Sequence, residues 1–583
     1  MSLERNYVVT LKEHGDLQNF YDEMEFSGTG STGKVPVRAV TCANRRDISR
    51  NTHYLLTDEE AEKLRNDPRV LAVELPPEDR GIVMRRNASY TRSGNFYKGT
   101  SASAINTDLN WGHLHCAGTV AQRREGTWGS DATTRVNDSI AVWQDGSNVD
   151  VVIVDGGVIP GHPEFALNSD GTGGDRFVQY QWFTQLNTFV NSIDNDLQTE
   201  PTGTIPYTDA DYHGMHVAGT VAGSLRGWAN KANIYNLNIF PDDSAINIPS
   251  LLIFDYLRAF HRYKAVNPST GKRNPTITNH SWGYSRLARF EDGGTKDITA
   301  VRYRNTLYSS ASPPAAGWTE SGLLSAFGID VFNGIAQWPV RVAAVDADIA
   351  DAIADGVVVI GAAGNEYTYA DISTGQDYNN FVIFDYYNLD NTPPTLIQSG
   401  VQEYYMRGSS PGAADNVICV GAMSANANYG RASYSNYGPR IDIWSPGSNI
   451  ISAYDDASSV AQGGSAQNIN DARNANYDLG VISGTSMSSP QVAGIAACMA
   501  TNRSRIKNSE VLTYLRKYSV TNDMIDATGT GGYTDYTVLG GNNSYWTATN
   551  PRPTSGVMPW DFTYSGRPAS KQTYPRQNTY KSP

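Results

Sequence analysis

The sequence predicts an α/β fold, a doubly wound and mostly parallel sheet, preceded by a small α+β domain of the ferredoxin-like kind. Three observations carry this. The runs DVVIVDGG, NIYNLNIF, PTITNHSWG, GVVVIGAAGN and NVICVGAM are apolar on both faces and end in turn residues. Helical stretches such as SLLIFDYLRAFHRYK and VAAVDADIADAIADG lie between them, and strands buried on both faces that alternate with helices imply a parallel sheet covered on both sides. Before this pattern begins, the first eighty or so residues read β-α-β-α-β.

Element by element, Tyr7 to Leu11 is strand-like, Leu17 to Phe26 helix-like, and VPVRAV a second short strand. TDEEAEKLRNDP announces a helix, with Thr57 as N-cap, acidic residues in its first turn and Pro68 beyond its end; VLAVEL closes the unit. The boundaries are therefore 1–83 for this unit, 84–140 for a Gly/Ser/Asn/Arg-rich linker or extended wrap, and 141–540 for the large domain. Two low-hydropathy stretches, 284–338 and 366–414, read as surface insertions. The remainder, 541–583, is rich in Pro and Tyr without apolar period; Tyr545, Trp546 and Trp560 are aromatic anchors suited to binding a partner or the body of the protein.

Composition limits the partners. Of 583 residues 40% are hydrophobic, enough for a large core, and 59 acidic against 46 basic side chains leave a net charge of −13, which disfavours nucleic acid and anionic lipid. No run reaches a membrane span, and the start carries charges where a secretory signal has its apolar region; the expected location is intracellular or particle-associated. The four cysteines are too few and too scattered for a disulfide framework. Cys419 and Cys498 sit in apolar runs and read as small buried hydrophobes.

Gly28 to Lys34 (GTGSTGK) imitates a phosphate loop, but Val35 stands where a Ser or Thr would hold magnesium, and the segment follows a helix instead of a strand. It reads as a connecting loop. His213 and His216 form HxxH, which lacks the spacing and acidic partner of a zinc helix. No metal site is assigned.

A four-part constellation is stronger. Asp155 ends DVVIVDGG, His213 opens HGMHVAGTVAGS, Asn365 ends VVVIGAAGN, and Ser486 lies in SGTSMSSPQVAGIAA, with Pro490 placed in the first turn of the helix that follows. A nucleophilic serine needs a base, the base a carboxylate to fix its tautomer, and the developing oxyanion aimed donors; all four roles are filled. The Asp, His, Asn, Ser order with DGG, HGMHVAGT, AAGNE and GTSMSSP resembles the subtilisin-like serine proteases, over roughly residues 140–520. The resemblance implies a serine endopeptidase in which Ser486 is the nucleophile, His213 the general base and then acid, Asp155 its orienting carboxylate, and Asn365 an oxyanion donor beside the Ser486 N–H. It also implies that Ser281, Trp282 and Gly283 pair with the substrate backbone by strand addition, with Glu366 near the first specificity pocket. Two departures are Gly156, where the family commonly has Ser or Thr, and Met215, where it has Thr.

By the same resemblance the N-terminal unit is an inhibitory pro-segment, released by cleavage between about Asp79 and Asn106, with Arg85-Arg86 a candidate site for another protease. Protein or peptide is the implied substrate. No cofactor is predicted; structural calcium is frequent in the family, but no acidic cluster in loop spacing marks it here. A rival reading, motivated by the expected lack of a secretion signal, the insertions and the tail, is a structural or assembly protein, with a viral origin as one option, built on the same domain with little or no proteolytic role.

Overall fold

The computed structural model describes residues 4–25, 39–45, 49–76, 79, 89–100, 102–117, 135–189, 211–240, 248, 250–388, 391–425, 431–456 and 468–518. The GTGSTGK loop, Arg85-Arg86 and the tail after 540 lie outside these residues. The chain divides into two units, Met1–Asn87 and Ala88–Pro583.

In the first unit, strands β1 (Arg5–Leu11), β2 (Cys42–Arg45), β3 (Asn51–Leu56) and β4 (Val70–Glu74) form an antiparallel sheet in the order β2-β3-β1-β4. Helices Leu17–Glu25 and Asp58–Arg65 complete it. Tyr7, Val9, Leu11, Phe20, Tyr54, Leu56 and Leu64 share one core, as the period-2 strands and amphipathic helices require. Thr57 caps the second helix in a capping box with Glu60, satisfying two free amides at its start. One expectation is corrected here: the strand before that helix is Asn51–Leu56, paired along its length to β1, and the described end of VPVRAV, Ala39 and Val40, is not in a strand. NTHYLL mixes polar and apolar residues, a weaker strand signal than the more apolar VPVRAV.

The second unit begins with β5 (Tyr90–Tyr97), β6 (Asp108–Asn110), the helix Trp111–Ala117 and β7 (Arg135–Val142); the three strands form one sheet, β6-β5-β7. This corrects the reading of 84–140 as linker or wrap. Phe96, Leu109, Trp111, Leu114 and Ile140 belong to the main core, and buried Arg226 donates to the carbonyls of Ile105, Asn106 and Asp108. The span looks like a linker in sequence because β5 and β7 are partly exposed, β6 is only three residues long, and polar residues dominate all three.

The central sheet has six parallel strands in the order β20-β19-β16-β10-β8-β9, namely β8 (Asp150–Asp155), β9 (Asn233–Asn238), β10 (Thr276–His280), β16 (Val358–Ala362), β19 (Ile418–Met423) and β20 (Ile443–Pro446). Alternate residues of β8 enter opposite cores. Val151 and Ile153 pack with helices Tyr212–Ala222 and Thr485–Met499, whereas Val152 and Val154 pack with helices Ile253–Tyr263 and Ala343–Asp355. Because β9 pairs on one side of β8 and β10 on the other, the winding reverses at β8, and the carboxyl ends of strands at such a switch point are where open α/β sheets carry their sites.

The two insertions are not separate loops. The first holds β11 (Ser285–Arg289), β12 (Ile298–Tyr303), β13 (Thr306–Ser309), β14 (Asp330–Phe332) and β15 (Ile335–Pro339), and the second β17 (Phe381–Asn388) and β18 (Thr395–Tyr404). β12 pairs with β17 to make a sheet β13-β12-β17-β18 drawn from both, while β11, β15 and β14 form a second sheet. Arg286 to Glu403, Arg304 to Asp377 and the Trp338–Phe384 edge contact link them further. Last, β21 (Ile450–Asp456), β22 (Asn468–Asp471) and β23 (Asn474–Ile482) form a three-stranded sheet leading into the helix of Ser486.

Candidate active site

Asp155 is the last residue of β8 and 1% exposed. Its Oδ1 accepts from His213 Nδ1 at 2.7 Å and from the Gly156 amide at 2.8 Å. His213 is the second residue of the helix Tyr212–Ala222, which Asp211 caps by accepting from the His213 amide at 2.9 Å. Burial pushes the His213 pKa down, but the Asp155 charge and hydrogen bond, with Asp211 adding to them, leave it above its ordinary value.

Asp211, which sequence reasoning missed, is a second carboxylate acting on His213. A Cβ on Gly156 would fall 1.8 Å from Asp211 Oδ2, so the second carboxylate occupies the room that the missing side chain leaves. This accounts for the first departure. For the second, Met215 is fully buried, and its sulfur accepts the Ile159 amide at 3.3 Å. Asp155, Asp211 and His213 bring ligand-type atoms within 4.8 Å of one another. Since His213 Nδ1 is committed to Asp155 and one Asp211 oxygen to the helix cap, the group is arranged for acid–base work. His216 turns into the core instead: its Nε2 bonds the Ile450 carbonyl and burial lowers its pKa to about 3.

A pH prediction follows. His213 accepts a proton only when neutral, so activity should rise as pH passes its raised pKa, placing the acidic limb above the ordinary imidazole value of about 6.5. Asn caps a helix as well as Asp does. Asp211→Asn should therefore fold normally and move the acidic limb of the kcat/KM profile downward, because one of the charges that raises His213 is gone; a limb that stays in place would remove Asp211 from the site.

Ser486 is the second residue of the fully buried helix Thr485–Met499 and is itself 7% exposed. Pro490 stands sixth in that helix, one turn further in than expected, and this has a consequence. Proline brings no N–H to the Ser486 carbonyl four residues back; that carbonyl instead accepts from the Ser281 hydroxyl at 3.0 Å. In return the Ser486 hydroxyl donates to the Ser281 carbonyl at 3.2 Å, and not to His213. Hydrogen bonds of this kind tighten only when substrate is bound in many enzymes. The helices of His213 and Ser486 pack tightly: a Cβ on Gly494 would lie 2.7 Å from the Val221 carbonyl oxygen.

Asn365 lies exposed just beyond β16, and its Oδ1 accepts from the Thr485 amide and hydroxyl at 2.9 and 2.8 Å. That fixes the amide with Nδ2 turned to the other side. The point where a Gly484 Cβ would stand is 3.5 Å from both Asn365 Nδ2 and the Ser486 amide nitrogen, so two donors flank one small space at a helix N-terminus.

Of the remaining predicted residues, Ser281, Trp282 and Gly283 directly follow β10, and Ser281 meets Ser486 as described. Half-buried Trp282 packs edge-on against Tyr284 at 5.6 Å. Glu366 is held back by Asn436, whose Nδ2 donates at 2.6 Å, and burial raises its pKa. Cys116, Cys419 and Cys498 are buried; burial pushes the Cys419 thiol up to about 12, which makes it inert. Among the described residues no helix is long and apolar enough to cross a membrane.

Comparison with known proteins gives one family match: the model described as "Subtilase family" matches residues 146–545. "Subtilisin-like protease 1" of Arthroderma otae is 38% identical over 101 residues, 17% of this chain and 16% of that protein. "Subtilisin-like protease 2" of Pseudogymnoascus destructans is 24% identical over 385 residues, 65% of this chain and 60% of that protein. The chain thus spans less than two thirds of the length of these relatives. A solved "cold adapted subtilisin-like serine proteinase" aligns at 20% identity with a TM-score of 0.37, covering 70% of this chain and 95% of that one.

Proposed function

The chain belongs to the subtilase family, and from that premise we propose that it is a serine endopeptidase acting on protein or peptide substrates. Ser486 attacks the scissile carbonyl while His213 takes the hydroxyl proton and hands it to the leaving amine. Asp155 holds the imidazole in the tautomer with Nδ1 protonated and stabilises the imidazolium. Asn365 Nδ2 and the Ser486 N–H receive the oxyanion, and water then releases the acyl group. The observation that carries this reading is the space at Gly484, 3.5 Å from both donors, next to a serine whose chain neighbours fix the second donor in place.

Asn365→Ala tests it. Losing one side-chain oxyanion donor typically costs about 100- to 1000-fold in turnover, so hydrolysis of a fluorogenic peptide should become slow while KM changes little. A variant within a few-fold of wild type would place the oxyanion elsewhere. The N-terminal unit is proposed as the inhibitory pro-segment. Because β5 is paired along its whole length within the large unit, cleavage belongs before Tyr90, in the early part of the Asp79 to Asn106 window. The rival reading as a structural or assembly protein draws no support from the relatives, whose names are those of proteases.

A further inference from the structure

The first insertion begins directly after the triplet Ser281, Trp282, Gly283, and its first strand, β11, starts at Ser285. The direction of the peptide groups along this stretch can be followed bond by bond. Tyr284 donates to the Ser410 carbonyl and accepts from the Val340 amide, so its own groups face the body of the unit. Gly283 bridges Pro411 in the antiparallel sense, and with the bond carried by Tyr284 N–H the groups of Gly283 itself face the opposite way.

The same parity runs through β11. In an antiparallel pair, residues that exchange hydrogen bonds alternate with residues that do not. Tyr284 is bonded across to Val340 and Phe290 to Gly334; in the register Arg286↔Trp338 and Ala288↔Ala336 the even residues are therefore the bonded ones. Ser285 faces Pro339, which has no N–H to give. Ser285, Leu287 and Arg289 turn their N–H and C=O groups away from β15, and β11 is the edge strand of its sheet. Arg289 is closed off, since its amide donates to Asp297 Oδ2 at 3.0 Å and its carbonyl accepts from the Asp297 amide at 2.8 Å. Ser285 is exposed and Leu287 is 50% exposed.

Among the described residues the open edge therefore runs from the Ser281 carbonyl, 3.2 Å from the Ser486 hydroxyl, through Gly283 and Ser285 to Leu287, and stops at Arg289. We infer that the first insertion lengthens the substrate-pairing edge, so that an extended peptide adds as a strand against Ser285 and Leu287 as well as against the triplet beside Ser486. This deepens the reading of the preceding subsection and rests on it. Counting back from the scissile bond, acyl-side residues one and three face Ser281 and Gly283, and residues five and seven face Ser285 and Leu287. The edge from Ser281 to Leu287 spans about 20 Å at about 3.4 Å per residue.

The chemistry also bounds the substrate. Arg286 and Arg289, the charged side chains of β11, are paired with Glu403 and Asp297, so the extension offers main-chain hydrogen bonds and the exposed Leu287 side chain, and no unpaired charge. Strand addition of this kind gives affinity with broad tolerance of sequence. The occupant is a segment of at least seven extended residues, as found in unfolded or loop-rich protein, and folded proteins with only short exposed turns are poor substrates.

The test is a series of peptides with one leaving-side sequence and three to eight acyl-side residues, cleaved by the wild-type protein. The expected kcat/KM rises on reaching five and seven residues, by roughly three- to tenfold for each added pair. N-methylation of the amide of residue five or seven should cancel the corresponding gain, whereas the same change at four or six should not. Leu287→Pro removes the outward N–H at an edge position that tolerates proline; it should abolish the gain from residue seven and leave the three-residue peptide cleaved at the wild-type rate. Cleavage of all lengths at one rate, or an equal loss on N-methylation at odd and even residues, overturns the extension while leaving the endopeptidase reading intact. No cleavage at any length by wild type overturns that reading itself.

Discussion

Ser486→Ala is expected to lose peptide hydrolysis by about a million-fold, the scale on which removing a triad nucleophile acts, while keeping its fold. The side chain is small, lies in a buried helix, and among the described residues makes one hydrogen bond, to the Ser281 carbonyl. The reciprocal bond from the Ser281 hydroxyl goes to the main-chain carbonyl of residue 486, which alanine retains. Circular dichroism and thermal unfolding should therefore match wild type closely, with stability changed by about 1 kcal/mol at most. A fluorophosphonate probe should label wild type at Ser486 and leave the variant unlabelled. Intact mass and N-terminal sequencing extend the comparison: a new N-terminus before Tyr90 in wild type alone indicates self-processing, and the same new end in both indicates another protease. Hydrolysis retained by the variant would end the assignment.

The sequence made the sheet legible because its strands are buried on both faces. VVIVD, ICVGAM and VVIGA read as continuous apolar runs, and each is wholly buried. The four residues proposed to react stand out for a related reason, since each sits at or just beyond one end of a buried strand or helix. What escaped depends on contacts between distant residues. The role of Asp211 rests on space left by Gly156, and neither residue signals it alone. The pairing of β12 with β17 joins segments about 80 residues apart through strands that are each only partly buried, and the polar stretches around them read as two surface loops. The helix Trp111–Ala117 is entirely buried yet carries two histidines, which disguised it as part of a polar connection. The meaning of Pro490 also needed structure: only with the helix start known at Thr485 does it become the reason that the Ser486 carbonyl is free to accept from Ser281.

Asp155→Ala should lower kcat by about ten-thousandfold, through two losses that can be separated. The carboxylate accepts the His213 Nδ1–H, which keeps Nε2 unprotonated and able to take the serine proton. Its charge also supports the imidazolium that forms in the transition state. In the alanine variant burial still pushes the His213 pKa down, and of the groups that raise it only Asp211 remains. The acidic limb of the residual activity should accordingly move to lower pH even as the plateau falls. Asp155→Asn distinguishes the two losses. Oδ1 accepts from both His213 and the Gly156 amide, and buried Oδ2 has no hydrogen-bond partner; an asparagine therefore keeps its oxygen at the Oδ1 place and turns its NH2 to the Oδ2 side. It preserves the imidazole tautomer and removes only the charge. The asparagine variant should thus retain more activity than the alanine variant while its acidic limb also moves down. Combining Asp155→Ala with Ser486→Ala should cost no more than Ser486→Ala alone, because residues that act as one unit are not additive. A double variant slower than the serine variant by a further ten-thousandfold would show that Asp155 serves the reaction by some route other than His213.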